Sequence, residues 1–297
     1  MKFRVGTRGS KLALKQTEIF IQNMKKNFPD AEFDLCIIKT KGDKILDAPF
    51  SRIPHKGLFV KDIEDELLKG NIDFAVHSLK DVPLDVPEEL SLSAFLEREN
   101  PADVIIGLTF QDIMQRVRHG LRVSVGTSSL RREYLLREIF GDLNFVSIRG
   151  NVDTRINKVM KGECDCIVLA LAGVLRLGIE LSKVPHEVLD PRNFLYSPGQ
   201  GIIVVETRKN TEAYEISKVV DNPVSRFLGE IERGILRRLG GGCSLPLGVF
   251  SEINAEKVFV KFKLFAQPQV IFEGYFNSEL SCENIIENIF KEIRYVS

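Results

Sequence analysis

The sequence predicts an α/β protein made of two domains of similar design, followed by a third, smaller α+β domain. Three observations lead there. Strand-like and helix-like runs alternate from residue 3 onward, the alternation restarts near residue 121 after a polar passage, and the C-terminal part reads helix, strands, helix instead. A length of 297 residues suits two or three domains. Hydrophobic content of 44% and charged content of 28% describe a globular chain with a sizeable core.

The opening reads strand (3–7), turn, helix (10–27), with Ser10 placed to cap the helix and Pro29-Asp30 to end it. Residues 32–39 alternate with apolar side chains on both faces, which predicts a strand buried between helical layers. Over 40–58 no period survives; glycine, proline and charge are mixed, and a lid is expected. A short helix (60–69) stopped by Gly70 and a buried strand (73–77) lead into HSLKDVP. In the second series, strands are expected at 121–126, 144–148 and 165–170, and helices at 128–140 and 151–161. The run GIIVVE (201–206) is a further strand, with a return to the first domain as one place for it. Asn222-Pro223 starts a helix whose Phe227, Ile231, Ile235 and Leu239 form a core-facing stripe. Strands over 258–266 and 269–277 and a helix over 282–294 close the chain.

Lysine plus arginine (41) equals aspartate plus glutamate (41), so no global field draws the chain to nucleic acid or to an anionic membrane. The N-terminus has no apolar signal core and no stretch is long enough to span a bilayer, so a cytoplasmic protein is expected. Five scattered cysteines suit reduced thiols. Cys164 and Cys166 alternate along a strand with no second ligand pair, which favours packing, and no metal is expected.

Charged groups gather at turns that follow strands, where open α/β sheets hold ligands. Arg8 lies in GTRGS, Lys80 and Asp81 follow His77, Arg131 and Arg132 lie in GTSSLRR, and Arg149 and Arg155 lie in RGNVDTR. Cations near a helix start oppose the macrodipole. Their repetition there points to an anionic ligand, against the alternative of solvated surface charge. Asp81 is either a salt-bridge partner of a nearby arginine or a carboxylate that stabilises a cationic intermediate and moves protons in a partly desolvated cleft. The stretch LGGGCSLPLG frees the backbone at three glycines and stiffens it at Pro246. It either ends a helix with Cys243 as packing or presents Cys243 as a thiol.

The stretches GTRGSKLALKQ, TKGDKILD, KGLFVKDIEDELL, AVHSLKDVP, VGTSSLRR, SIRGNVDTR, LALAGVLRLG, SPGQG and GGGCSLPLG together resemble the porphobilinogen deaminase (hydroxymethylbilane synthase) family, in the family's order and over nearly the whole chain. The resemblance implies two lobes like those of type II periplasmic binding proteins, joined by a hinge, and a small C-terminal domain. The domains would be 1–98 with 198–217, 99–197, and 218–297. It implies the condensation of four porphobilinogens, with loss of ammonia, on a dipyrromethane cofactor bound as a thioether to Cys243, and release of hydroxymethylbilane by hydrolysis. Asp81 matches the catalytic aspartate. Lys80, Asp81, Thr127, Ser128, Ser129, Arg131, Arg132, Arg155, Gly173 and Ser244 match the cofactor site; Arg8, Ser10, Arg149, Arg155, Arg176 and Gln200 match the substrate site. Lys56 and Phe59 fall in the family's mobile loop, where His55 departs from a frequent glycine. The family implies a monomer with no nucleic-acid or membrane partner. The rival readings are a non-catalytic two-lobed binding protein for small polyanions and, less well supported by the balanced charge, a nucleic-acid binder.

Overall fold

An apolar run, a serine cap and an amphipathic helix open the chain. β1 (Lys2–Thr7) leads to α1 (Lys11–Asn27), where Ser10 Oγ accepts from Ala13 N at 3.2 Å. That bond satisfies one of the helix's orphan donors. β2 (Glu32–Ile37) follows; then come α2 (Lys61–Leu68), β3 (Phe74–Ser78) and β4 (Leu90–Phe95). Gly70, at φ 74°, turns the chain out of α2 as expected. The second series runs β5 (Asp103–Ile106), α3 (Phe110–Arg118), β6 (Ser124–Gly126), α4 (Leu130–Phe140) and β7 (Asn144–Val146). It ends with α5 (Val152–Met160), β8 (Cys166–Ala170), α6 (Leu171–Arg176) and β9 (His186–Val188). β10 (Ile203–Arg208), α7 (Glu212–Ser217) and α8 (Pro223–Arg238) come next. The remainder is β11 (Leu247–Asn254), β12 (Lys257–Leu264), β13 (Gln269–Asn277), α9 (Cys282–Glu292) and β14 (Tyr295–Val296).

This computed structural model describes residues 1–40, 60–242, 245–293 and 295–296. The expected lid, with Lys56 and Phe59, and the pair Cys243 and Ser244 lie outside the described residues.

By contact density the chain parts into two units, Met1–Glu99 with Ile202–Ser244, and Asn100–Gly201 with Leu245–Ser297. Each holds a five-stranded mixed sheet of one design. In unit 1 the order is β2-β1-β3-β10-β4, and β10 runs antiparallel to β3. In unit 2 the order is β7-β6-β8-β5-β9, and β5 runs antiparallel to β8. GIIVVE therefore does return to the first sheet. Both sheets are packed on either side by apolar clusters, such as Phe3, Phe20 and Phe74 in unit 1 and Val125, Leu136 and Val168 in unit 2.

Three expectations need correcting. β2 is the edge of its sheet rather than a strand between helical layers, and Leu35 and Ile37 are 46% and 56% exposed. Apolar alternation reports a strand's character, not its place in the sheet order. α4 starts at Leu130 rather than at 128, with Ser129 as its cap residue and no side-chain cap bond. Finally, no strand is expected between residues 77 and 121, where the structure has β4 and β5.

α8 begins as its sequence says, with Asn222 Oδ1 accepting from Ser225 N at 2.9 Å and Pro223 in the first turn. Gly240, at φ 69°, ends it, and Gly241 N donates back to Leu236 O at 3.0 Å. The C-terminal sheet, in order β11-β12-β13-β14, is antiparallel. It is tied to the rest of unit 2 through Tyr196, which exchanges backbone hydrogen bonds with Val249 and whose hydroxyl accepts from Ser251 N at 3.0 Å.

Candidate active site

In unit 1 the chain leaves β3 through a single 3-10 turn, Leu79–Asp81. Leu79 is fully buried and its N–H donates to Ile202 O at 3.0 Å, so the turn is pinned from below. Lys80 is half-buried and Asp81 is exposed above it. Arg8, Ser10, Gln16, His77, Ser78 and Asp81 line one small pocket of ≈ 70 Å³. Ser10 serves as the α1 cap, and Gln16 Nε2 donates to Ser78 Oγ at 2.8 Å. A carboxylate-bearing and a guanidinium-bearing residue, Asp81 and Arg8, thus line the same small pocket.

In unit 2 the expected arginine pair is buried, and its carboxylate partner within the chain is Asp103, a residue on β5 with no exposed surface. Arg132 grips it twice, Nη2 to Oδ1 at 2.7 Å and Nε to Oδ2 at 3.1 Å. Arg131 Nη2 reaches Oδ2 at 2.9 Å, and Gln200 Nε2 reaches Oδ1 at 2.9 Å. Leu195 O and Val168 O accept from the remaining Nη1 groups of Arg131 and Arg132. Burial raises the Asp103 pKa, but the two guanidiniums and the hydrogen bonds outweigh burial and hold the carboxyl below the usual carboxylate range. Two cations on one anion leave the cluster one positive charge in excess. Arg131 Nε, also buried, has no hydrogen-bond partner among the described residues.

Around this cluster, Thr127 Oγ1 accepts from Ser129 N at 3.1 Å, and Ser128 Oγ lies 3.1 Å from Ser147 Oγ and donates to Ile148 O at 3.2 Å. Arg149 and Arg155 are half-buried, and Arg155 Nε donates to Gly150 O at 2.8 Å. Gly173 is buried within α6, and Arg176, ending that helix, donates to Gly201 O at 2.6 Å. Cys164 and Cys166 are both buried; burial pushes the Cys166 thiol up to about 12, so it stays protonated.

The structure thus brings Arg8, Ser10 and Asp81 together in unit 1, and Arg131, Arg132 and Gln200 together in unit 2. Gln200 is matched to substrate by resemblance, yet its amide is given to Asp103 and, at 2.7 Å, to Pro101 O. It supports the arginine cluster rather than presenting a free donor. Sequence reasoning missed Asp103 altogether, although a lone acid opening the apolar run DVII is a signal. It also missed a buried trio in unit 1: Glu64 on α2, His77 on β3 and Glu206 on β10. His77 Nε2 lies 3.3 Å from Glu206 Oε2, and neither Glu206 oxygen accepts a hydrogen bond among the described residues. Burial first, and Glu206 second, push the Glu64 carboxyl up to about 7.

Two family models match the chain in tandem. One, described as porphobilinogen deaminase, dipyromethane cofactor binding domain, matches residues 3–215; the other, porphobilinogen deaminase, C-terminal domain, matches 228–279. A porphobilinogen deaminase of Nitratidesulfovibrio vulgaris (strain DSM 19637 / Miyazaki F) is 42% identical over 87% of this chain and 80% of its own length. One from Chlorobium phaeobacteroides is 44% identical over 85% and 80%, and one from Clostridium novyi 42% identical over 87% and 86%. Among solved structures, the BenM effector binding domain with benzoate aligns at a TM-score of 0.42 and 14% identity, covering 80% of this chain and 93% of that one, a likeness too loose to carry an argument. Relatives at this identity, matched over four fifths or more of their own length, together with family models over residues 3–215 and 228–279, establish that the chain belongs to the porphobilinogen deaminase family, transferases of tetrapyrrole biosynthesis.

Proposed function

We propose that this chain condenses four porphobilinogen molecules head to tail, with loss of one ammonia each, on a dipyrromethane primer bound to Cys243, and releases hydroxymethylbilane by hydrolysis. What supports this reading beyond family membership is the pocket that Asp81 shares with Arg8 and Ser10. The primer, when bound, supplies a free pyrrole α-carbon as nucleophile. The excess positive charge at Arg131 and Arg132 and the unpartnered Arg131 Nε fit one of its acidic arms. Lys80, Thr127, Ser128, Ser129, Arg155, Gly173 and Ser244 complete that assignment, and Arg8, Ser10, Arg149, Arg155 and Arg176 take the arms of incoming substrate. Lys56 and Phe59 belong to the covering loop.

Loss of ammonia from the protonated aminomethyl group of porphobilinogen leaves an electron-poor azafulvenium cation; in this reading the Asp81 carboxylate stabilises that cation and receives the proton that leaves the α-carbon. Exposure decides how well it does so. At 4 Å an ion pair is worth about 1 kcal/mol in water and about 4 kcal/mol at an effective dielectric near 20. Asp81 is exposed, so the pyrrole rings themselves must exclude water from it. The reading also includes a monomer acting in the cytoplasm without nucleic acid, and residues 218–297 acting as the carrier of the primer. Asp81→Asn tests it: turnover of porphobilinogen should fall about a hundredfold or more while the fold remains. Near-normal turnover would overturn the assignment.

A further inference from the structure

We infer that Arg233 and Gly229 on α8 are positioning residues for Asp81, holding the catalytic turn against the helix that leads to Cys243; this rests on the role given to Asp81 above. The Arg233 guanidinium reaches three carbonyls of that turn and its exit. Nη1 donates to Val82 O at 2.9 Å and lies 3.5 Å from Leu79 O, and Nη2 donates to Pro83 O at 2.7 Å. These carbonyls flank Asp81 on both sides. A planar, always-charged fork suits such a task, since it meets several acceptors in one rigid geometry.

One turn earlier on the helix, Gly229 lets the backbone approach the same turn. A Cβ there would stand 2.8 Å from Leu79 Cδ2, 3.2 Å from Ile202 Cδ1 and 3.4 Å from Phe95 Cε1. Leu79 is fully buried, so its methyl group has no open space to retreat into. The helix is itself held firmly. Glu232, next to Arg233, is fully buried and takes both terminal nitrogens of Arg98, at 2.7 and 3.1 Å, and Ser225 Oγ accepts from Arg98 N at 2.9 Å. The turn bearing Asp81 therefore rests on a fixed strut through two contacts of different kinds, a charged fork and a close apolar approach. All these residues lie in unit 1.

Two variants disturb the contacts independently. Arg233→Lys keeps the charge but cannot span three carbonyls; Gly229→Ala keeps every polar contact but pushes the helix off Leu79. Each should lower kcat for porphobilinogen by about tenfold, with KM changed far less, because a displaced carboxylate is lost chiefly in the transition state. Intact mass should show the primer retained, and the melting temperature should fall by only a few degrees, about what overpacking by one methyl costs, so that both variants are folded at the assay temperature. Arg237→Ala, which removes a donor to Leu84 O and an exposed ion pair with Asp85 one turn further on, should leave kcat unchanged. A general packing role predicts instead that activity follows the folded fraction. If Arg233→Lys fails to fold, Gly229→Ala decides. Parental kcat in the folded variants, or a loss confined to KM or to primer content, would overturn the inference. Asp81→Asn, run in the same assay, separates the two claims: if it is active, the role of Asp81 itself falls, and if it is inactive while the helix variants are normal, only the strut does.

Discussion

The two five-stranded sheets place a buried acid at the corresponding strand and use it in opposite ways. The antiparallel strand inserted into each sheet carries it: Glu206 on β10 in unit 1, Asp103 on β5 in unit 2. Asp103 receives four hydrogen bonds from two guanidiniums and an amide, and stays ionised. Glu206 faces one imidazole at 3.3 Å and a second buried carboxyl, and Glu64 responds by holding its proton up to about pH 7. Equal topology does not dictate equal electrostatics; the number of donors around each acid does.

The largest effect should come from removing the satisfied acid. Asp103→Ala leaves two guanidiniums buried without their carboxylate, and breaking such a group typically costs about 3–5 kcal/mol. Urea unfolding at neutral pH should show that loss, and intact mass should show reduced primer content as Arg131 and Arg132 lose their orientation. A change under about 1 kcal/mol would mean the cluster is far better solvated than its burial implies.

A smaller effect of opposite sign belongs to unit 1. The Glu64 pKa is raised in the folded protein from 4.5 to about 7, so its contribution to stability is complete below the unfolded value and is lost as pH rises through about 7. His77 and Glu206 face this group from the sheet, and Lys61 and Asp65 flank it on its own helix. Glu64→Gln should therefore match the parent near pH 5 and be more stable near pH 8, by roughly 2 kcal/mol. A melting-temperature difference independent of pH would remove the contrast between the two sheets.

Much of this frame was legible in the residues. Caps announce themselves locally, so Ser10, Asn222-Pro223 and Gly240 mark their helix ends correctly. The βα rhythm likewise reveals two similar sheets. What stayed hidden depends on distant partners. The edge position of β2 and the insertion of β5 and β10 arise from strand order, which no local period encodes. Asp103 looked like part of a polar connector because its partners, Arg131, Arg132 and Gln200, lie far along the chain. The same distance concealed Arg233, one arginine among several on α8 until the turn at Leu79–Asp81 is folded beneath it.

The claim on which the functional account depends is a primer covalently held by one sulfur. Intact-protein mass spectrometry of freshly purified chain, beside Cys243→Ser, measures it directly. The account predicts extra mass equal to two linked pyrroles on the parent and none on the serine variant, with turnover lost alongside. A parent at bare polypeptide mass that still builds hydroxymethylbilane, or a serine variant bearing the same adduct, would contradict it.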